Sequence, residues 1–459
     1  MEKYDAIIIG FGKGGKTLAA DLGNRGWKVA MIERSSGMYG GTCINIGCIP
    51  TKALVHASEV AVYRRPTTFE EQAAAYRKAI EAKNKLTAAL RKKNFDKLDT
   101  EPTVTVYTGE ACFRSPYQIE VKTDEGTLLL EGKKIFINTG ATTIRPSIPG
   151  IEGNPFVYTS TTLMELQKLP RHLVIVGCGY IGLEFASMYA GFGSEVTVLE
   201  GGDTFIPRED RDIADAVREV LAKKGIIIRL NAKVRSIGHQ ENKATVHVQL
   251  SGQDKEETLD ADAVLLATGR RPNTESLNLA AAGIKTTDRG AIEVDAKLHT
   301  SVPHIWAMGD VRGGLQFTYL SLDDYRIIRD ELFGEGSRTA DDREAVPYSV
   351  FIDPPLANVG LTEDAARKAG RPIKVATLSV STLPRARTIG KPEGLLKAVV
   401  DAETGHILGC TLFCAYASEV INTVSLAMRL GLSYTCLGDG IYTHPSMSES
   451  LNDLFGLIH

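Results

Sequence analysis

Two cysteines, Cys43 and Cys48, sit in the run Gly40-Gly41-Thr42-Cys43-Ile44-Asn45-Ile46-Gly47-Cys48-Ile49-Pro50-Thr51-Lys52. Such a pair can clip a metal, form a structural bridge, fill a core, or cycle between dithiol and disulfide. In an ideal helix, residues at this spacing have Cα atoms roughly 8–9 Å apart, beyond the reach of a disulfide. A redox bridge therefore requires an irregular turn before or at a helix start. Gly47 and Pro50 suit one: glycine tolerates unusual dihedrals and proline is accepted in a first helical turn. Cys48 would then face a helix N-terminus, which favours the thiolate, and Lys52, one turn on, would add positive charge. Far along the chain, His444-Pro445-Ser446-Met447-Ser448-Glu449 sets a histidine near a carboxylate. That pair could be a base oriented by an acid, or His444 could be a structural residue at a helix start. Cys112, Cys410 and Cys414 fall in apolar strand patterns and read as core, Cys178 reads as a small filler, and Cys436 fits either role.

The elements that must hold these groups begin just upstream. An apolar strand pattern at 4–9 leads into Gly10-Phe11-Gly12-Lys13-Gly14-Gly15, a helical stretch to Asn24, and a strand from Trp27 to Ile32 closed by Glu33. In a dinucleotide-binding unit the three glycines at 10, 12 and 15 give a tight turn, close approach to a pyrophosphate, and helix–strand packing. An acid at the place of Glu33 accepts ribose hydroxyls. The helix N-terminus offers free amides and a positive dipole end to the phosphates. The unit recurs as Leu173–Val176, Gly177-Cys178-Gly179-Tyr180-Ile181-Gly182, a helix, and Glu195–Leu199 closed by Glu200. Four landmarks shift by the same 167 positions: 10 to 177, 12 to 179, 15 to 182 and 33 to 200. One glycine fingerprint is a weak signal, whereas two in register imply two dinucleotides. Each unit is closed by an apolar run ending in Thr-Gly, at Thr139-Gly140 and Thr268-Gly269. A further run, His304–Met308, ends in Gly309-Asp310, where the aspartate either binds a sugar-alcohol hydroxyl or caps a turn.

Composition narrows the setting. A chain of 459 residues exceeds one ordinary core, so several domains are expected. A net charge of −3 gives no global pull toward nucleic acid or anionic membrane. No apolar run approaches the roughly 20 residues of a membrane helix, and no signal peptide is evident, so a cytoplasmic protein is expected. Seven cysteines are too few for a disulfide framework in a chain of this length. The basic residues of the helical stretch 66–98 (Lys83, Lys85, Arg91, Lys92, Lys93 and Lys97) read as a solvated face, and 336–346 reads as a linker. Beyond it, strand signals around helical patterns at 363–369 and 418–430 form an α+β module without a nucleotide signature, which suits an interface.

Along nearly its whole length the chain resembles the flavin-dependent pyridine nucleotide–disulfide oxidoreductases, on Gly-Gly-Thr-Cys-x-Asn-x-Gly-Cys-Ile-Pro-Thr-Lys above all. The resemblance implies an α/β fold with two Rossmann-like dinucleotide-binding domains plus a C-terminal α+β dimerisation domain. Residues 1–149 and 270–343 would bind FAD, 150–269 NAD(P), and 344–459 would form the homodimer. It implies FAD at Gly10, Gly12, Gly15, Glu33, Thr42, Lys52, Ala111, Thr139, Gly140, Gly309 and Asp310. The nicotinamide cofactor falls to Gly177, Gly179, Tyr180, Ile181, Gly182, Glu184, Glu200 and Gly269. Cys43 becomes the interchange thiol, Cys48 the thiol against the flavin, and Lys52 pairs with Glu184 near the flavin. His444, oriented by Glu449, reaches the cysteines of the other subunit. Glu200 favours ribose hydroxyls, and Gly201 and Gly202 follow it where an arginine would favour a 2′-phosphate. NADH is thus expected, with NADPH open through Arg208.

Within the family, the segment after Asp310 carries Phe317 and Tyr319 where small residues are usual, Tyr442 replaces a second histidine, and the end Gly-Leu-Ile-His lacks a vicinal cysteine pair. In Met38-Tyr39-Gly40-Gly41, in Gly314–Tyr319 with Asp323-Asp324-Tyr325-Arg326, and in His444–Phe455 the chain resembles the branch that reduces copper(II) in defence against reactive chlorine. The departures support that resemblance and point away from lipoamide and glutathione. Cys43 and Cys48 are the copper contacts to expect, since thiols suit the copper(I) product. A disulfide reductase, a mercuric reductase-like enzyme and a slow redox sensor are the alternatives.

Overall fold

The structure, a computed structural model, describes residues 1–252 and 256–459. The chain forms two compact units, Met1–Leu54 with Lys78–Pro146 and Thr268–Asp342, and Val55–Arg77 with Ser147–Ala267 and Arg343–His459.

In the first unit the apolar runs of the sequence become a seven-stranded sheet. Glu2–Ile9 pairs in parallel with Val29–Glu33 on one side and with the end of Gly126–Ile137 on the other. Ile305–Ala307 adds in parallel beyond that end, while the beginning of Gly126–Ile137 turns antiparallel against Gln118–Thr123. Ile7, Ile8 and Ile9 are buried because helices and loops cover both faces of the parallel part. Alternation decides which side each residue joins. Ile7, Ile9, Ala30 and Ile32 pack with Phe113 and Ile119, whereas Ala6, Ile8, Val29 and Met31 pack with Phe11, Leu18 and Ile327. Each of the valine, leucine, isoleucine, methionine and phenylalanine side chains among them contributes about 1.5–3 kcal/mol on burial.

The second unit repeats the arrangement. Its parallel sheet has the order Ile227–Arg229, Glu195–Leu199, His172–Val176, Ala263–Leu266, Val157–Thr159. The 167-residue offset reappears in hydrogen bonds: Gly10 N to Ile32 O and Gly177 N to Leu199 O are both 2.8 Å. After residue 346 comes an antiparallel five-stranded sheet, from Tyr348–Val350 through Leu356–Gly360, Ile407–Phe413 and Leu395–Asp401 to Ile373–Ser379. Helices Ala417–Arg429 and Ser450–Gly456 share its core through Val420, Val424, Leu451 and Phe455.

The basic helix departs from expectation at two residues. Lys85, Lys92, Lys93 and Lys97 are exposed, but Lys83 is buried and Arg91 half-buried. Ile80, Lys83, Thr87 and Leu98 recur at helical spacing on the inner stripe of Phe69–Asp99. Among the described residues, no helix is long and apolar enough to cross a membrane.

Candidate active site

Cys43 lies in the short helix Thr42–Asn45, and Cys48 is the first residue of Cys48–Arg64, so the chain breaks its helix between them as the spacing demands. The break is held locally. Asn45 Nδ2 donates to Tyr39 O and Gly41 O, both at 2.9 Å, while its Oδ1 accepts from Arg91 Nε at 2.8 Å. Thr51 Oγ1 donates to Gly47 O at 2.6 Å. Gly41 has φ +78° and lies against the first dinucleotide loop: a Cβ there would meet Gly12 Cα at 2.6 Å. The cysteine loop is therefore seated glycine on glycine.

Both cysteines are free, Cys43 half-buried and Cys48 only partly open to solvent. A hydrogen bond from the Cys43 thiol pulls Cys48 down to about 6 against the cost of burial, helped by Thr318 and the charge of Lys52. That same bond, with burial, pushes Cys43 well up. The pair thus holds one proton on Cys43 and the negative charge on Cys48. Thr318 Oγ1 lies 3.4 Å from Cys48 Sγ and starts helix Thr318–Phe333. On either side of it Phe317 and Tyr319 stack at 5.1 Å. Burial and the charge of Cys48 both raise the Tyr319 hydroxyl. Arg270, whose Nη2 donates to Ala141 O, feels the charges of Asp310 and Cys48.

Asn138 ties the first loop together, a role that sequence reasoning missed. Its Oδ1 accepts from Gly15 N at 2.9 Å, and its Nδ2 donates to Met308 O at 2.7 Å. A Cβ on Gly10 or Gly12 would meet Asn138 atoms at 2.4 Å, and one on Gly15 would meet Gly10 O at 2.6 Å. In the second loop a Cβ on Gly182 would strike Gly177 O at 2.2 Å, but one on Gly179 meets nothing within 4 Å. That open face is what phosphate approach needs. Ile181 is half-buried beside it.

The two acids behave alike. Glu33 accepts from Phe11 N at 3.0 Å, and Glu200 accepts from Cys178 N and Gly202 N at 2.9 Å, so each carboxylate is fixed at its strand end. The Thr-Gly pairs do structural work too. Thr139 Oγ1 donates to Asn273 O at 2.9 Å and Thr268 Oγ1 to Ile144 O at 2.8 Å, flanking the antiparallel pair Ala141–Thr143 and Arg270–Pro272. Gly140 and Gly269 take φ +70° and +100° there. Asp324, not Asp310, takes the turn amide of Gly309, at 2.6 Å. Asp310 is held above the usual carboxylate range by burial, which Arg270 opposes. Ala111 has its side chain in the core.

Glu184 Oε1 accepts from Phe351 N at 2.8 Å in the second unit. In that unit His444 Nδ1 faces Glu449 Oε2 at 2.8 Å, and Ser446 N donates to Glu449 Oε1 at 3.3 Å. His444 stands in a loop, since the next helix begins only at Ser450, and its side chain is 70 % exposed. Cys410, Cys414 and Cys178 are buried as expected. Cys112 is only half-buried, on a strand face it shares with Glu120. Among the described residues, no group of three or more His, Cys, Asp or Glu could hold a metal ion.

Residues 4–324 match the family model described as pyridine nucleotide-disulphide oxidoreductase, and 346–455 match the dimerisation domain of the same family. The chain belongs to the pyridine nucleotide-disulphide oxidoreductases. It is an enzyme of that family, whose members depend on FAD and NAD(P)H. It is 54% identical over 458 residues to the probable pyridine nucleotide-disulfide oxidoreductase RclA of Escherichia coli (strain K12), covering 100% of both chains. It also superposes with a TM-score of 0.94, at 53% identity and full coverage of both chains, on a Cu(II) complex of the HOCl-induced flavoprotein disulfide reductase RclA from Escherichia coli. The Cu(II) complex of the C43S mutant of that protein matches equally, with a TM-score of 0.94, 53% identity and 100% coverage of each chain.

Proposed function

We propose that this chain is a cytoplasmic, homodimeric FAD enzyme that draws electrons from NADH and delivers them through Cys43 and Cys48 to copper(II), in defence against reactive chlorine. The observation that carries this reading is the pair of free thiols on either side of a helix break, seated directly on the first dinucleotide loop. The likeness to a relative crystallised with Cu(II) supports the acceptor. Residues 1–149 with 270–343 are assigned to FAD, 150–269 to the nicotinamide cofactor and 344–459 to the dimer. The residues fit these groups: helix Lys13–Asn24 opens without a side-chain cap, the strand-end carboxylate of Glu33 stands near, and Gly179 leaves room at the second helix.

When bound, FAD and reduced nicotinamide supply the hydride and electron chemistry. Lys52 and Thr318 keep the charge on Cys48. Cys43 retains the proton and faces the acceptor. In the shared site of the homodimer, His444 takes that proton, its ring held through Nδ1 by Glu449. Oxidation of the thiol–thiolate pair to a disulfide releases two electrons and one proton, which reduces two copper(II) ions to copper(I). A relative's C43S mutant also forms a Cu(II) complex, so copper(II) binding there does not require that thiol. Cys43 is assigned to electron delivery, and contact of the copper ion with Cys43 and Cys48 is part of this proposal on the softness of thiol ligands. Glu200, fixed by two amides, disfavours a 2′-phosphate and supports NADH.

An acceptor panel tests the reading. NADH oxidation is followed with copper(II), mercury(II), lipoamide, glutathione disulfide and oxygen. Fast turnover with copper(II) is expected; turnover with lipoamide and none with copper would sink the proposal, and no turnover with any acceptor would leave the sensor.

A further inference from the structure

Glu209 is 3 % exposed, and its two carboxylate oxygens are treated unequally. Oε1 accepts from the hydroxyl of Tyr180 at 2.6 Å and from that of Tyr348 at 2.6 Å. Oε2 is buried with no hydrogen-bond partner, the one such side-chain atom among the described residues. The two rings stack at 5.7 Å with an interplanar angle of 28°, and their hydroxyls lie 3.3 Å apart. An unpaired buried carboxylate oxygen is costly, so something must hold Glu209 in place. Its neighbour does. Asp210 accepts from Glu363 N at 2.9 Å and Asp364 N at 3.0 Å, and pairs with the buried Lys397 at 3.2 Å.

Tyr180 follows Gly179 directly and is the first residue of helix Tyr180–Phe192. Phosphates approach such a helix start, so a dinucleotide passing the open face of Gly179 meets the Tyr180 ring. We propose that Glu209 is a positioning residue that latches Tyr180 over the second dinucleotide loop, and that Tyr348 is the reserve donor that keeps the carboxylate bonded when Tyr180 turns away. The latch rests on reading that loop as the nicotinamide dinucleotide site. Two donors on one oxygen make release cheap, because one hydroxyl leaves while the other stays.

The signs of the expected effects differ between variants. Tyr348→Phe leaves Tyr180 as the remaining hydroxyl donor to Glu209, so Tyr180 is harder to displace and NADH binds more weakly. Tyr180→Phe and Glu209→Gln loosen the latch, and NADH binds more tightly. Each shift is about fivefold, the worth of one net hydrogen bond. The measurement is anaerobic stopped-flow reduction of the flavin in the holoenzyme against NADH concentration, which separates Kd from the limiting rate. A raised Kd for Tyr348→Phe at an unchanged limiting rate, with a lowered Kd for Tyr180→Phe, supports the latch. Shifts of one sign in all variants, or none, overturn it. The two phenylalanine variants keep their rings, so the test stands even if Glu209→Gln fails to fold. Failure of NADH to reduce the unaltered protein would instead refute the reading of the site.

Discussion

Cys48 bears the negative charge because the thiol of Cys43, the hydroxyl of Thr318 and the charge of Lys52 outweigh the cost of burial. A thiol lowered to about 6 is a thiolate at neutral pH and takes a proton as pH falls through that value. In the reduced protein, thiolate ultraviolet absorbance should therefore rise with a midpoint near about 6, and electron delivery should fall on the acid side of it. Cys43→Ala removes the largest contributor, so the midpoint should climb toward the ordinary thiol value of about 8.5. A midpoint that stays put would show that the two sulfurs do not share a proton. Cys43→Ser should leave the flavin reducible by NADH while acceptor turnover drops by orders of magnitude; full turnover would displace Cys43 from delivery. The cysteines themselves were legible from the chain, since spacing, Gly47 and Pro50 announced a broken helix. Thr318 was not legible, because 270 residues separate it from the sulfur it touches and only the fold makes them neighbours.

At the scale of elements, the apolar runs and their glycines foretold both parallel sheets, and the 167-residue offset foretold that one hydrogen-bond pattern would appear twice. Local rules suffice there, because a strand–turn–helix unit is written in consecutive residues. Asn138 escaped notice because it sits at the end of an apolar strand and its side chain serves a helix and the end of another strand far apart in sequence. Asn138→Ala leaves Gly15 N and Met308 O without their partner in the interior. The expected cost is about 2–4 kcal/mol, seen as a lower melting temperature together with loss of flavin on gel filtration. An unchanged melting temperature would mean that the loop holds itself. Lys83 escaped for the opposite reason: composition marks a lysine as solvated, while its place on the helical stripe buries it.

For the whole molecule, the proposed sharing of His444 between subunits has a consequence for mixing. Cys43→Ser and His444→Ala homodimers should each be inactive. Randomly reassorted mixtures should regain about a quarter of wild-type activity, because half the dimers are mixed and each has one intact site. No recovery after proven subunit exchange would place the cysteines and the histidine in one subunit. The dimerisation module also exposes Leu426, Leu430 and Ile441. Leu426→Asp with Leu430→Asp should shift the sedimentation coefficient to that of a monomer; a persistent dimer would move the interface elsewhere. The contact of Gly41 with Gly12 bears on portability. The dithiol loop cannot be transplanted as a cassette, because the surface that receives it is the bare backbone of the nucleotide loop. Any scaffold that hosts the loop must bring its own glycine to that meeting point, so engineers inherit the two segments as a single part.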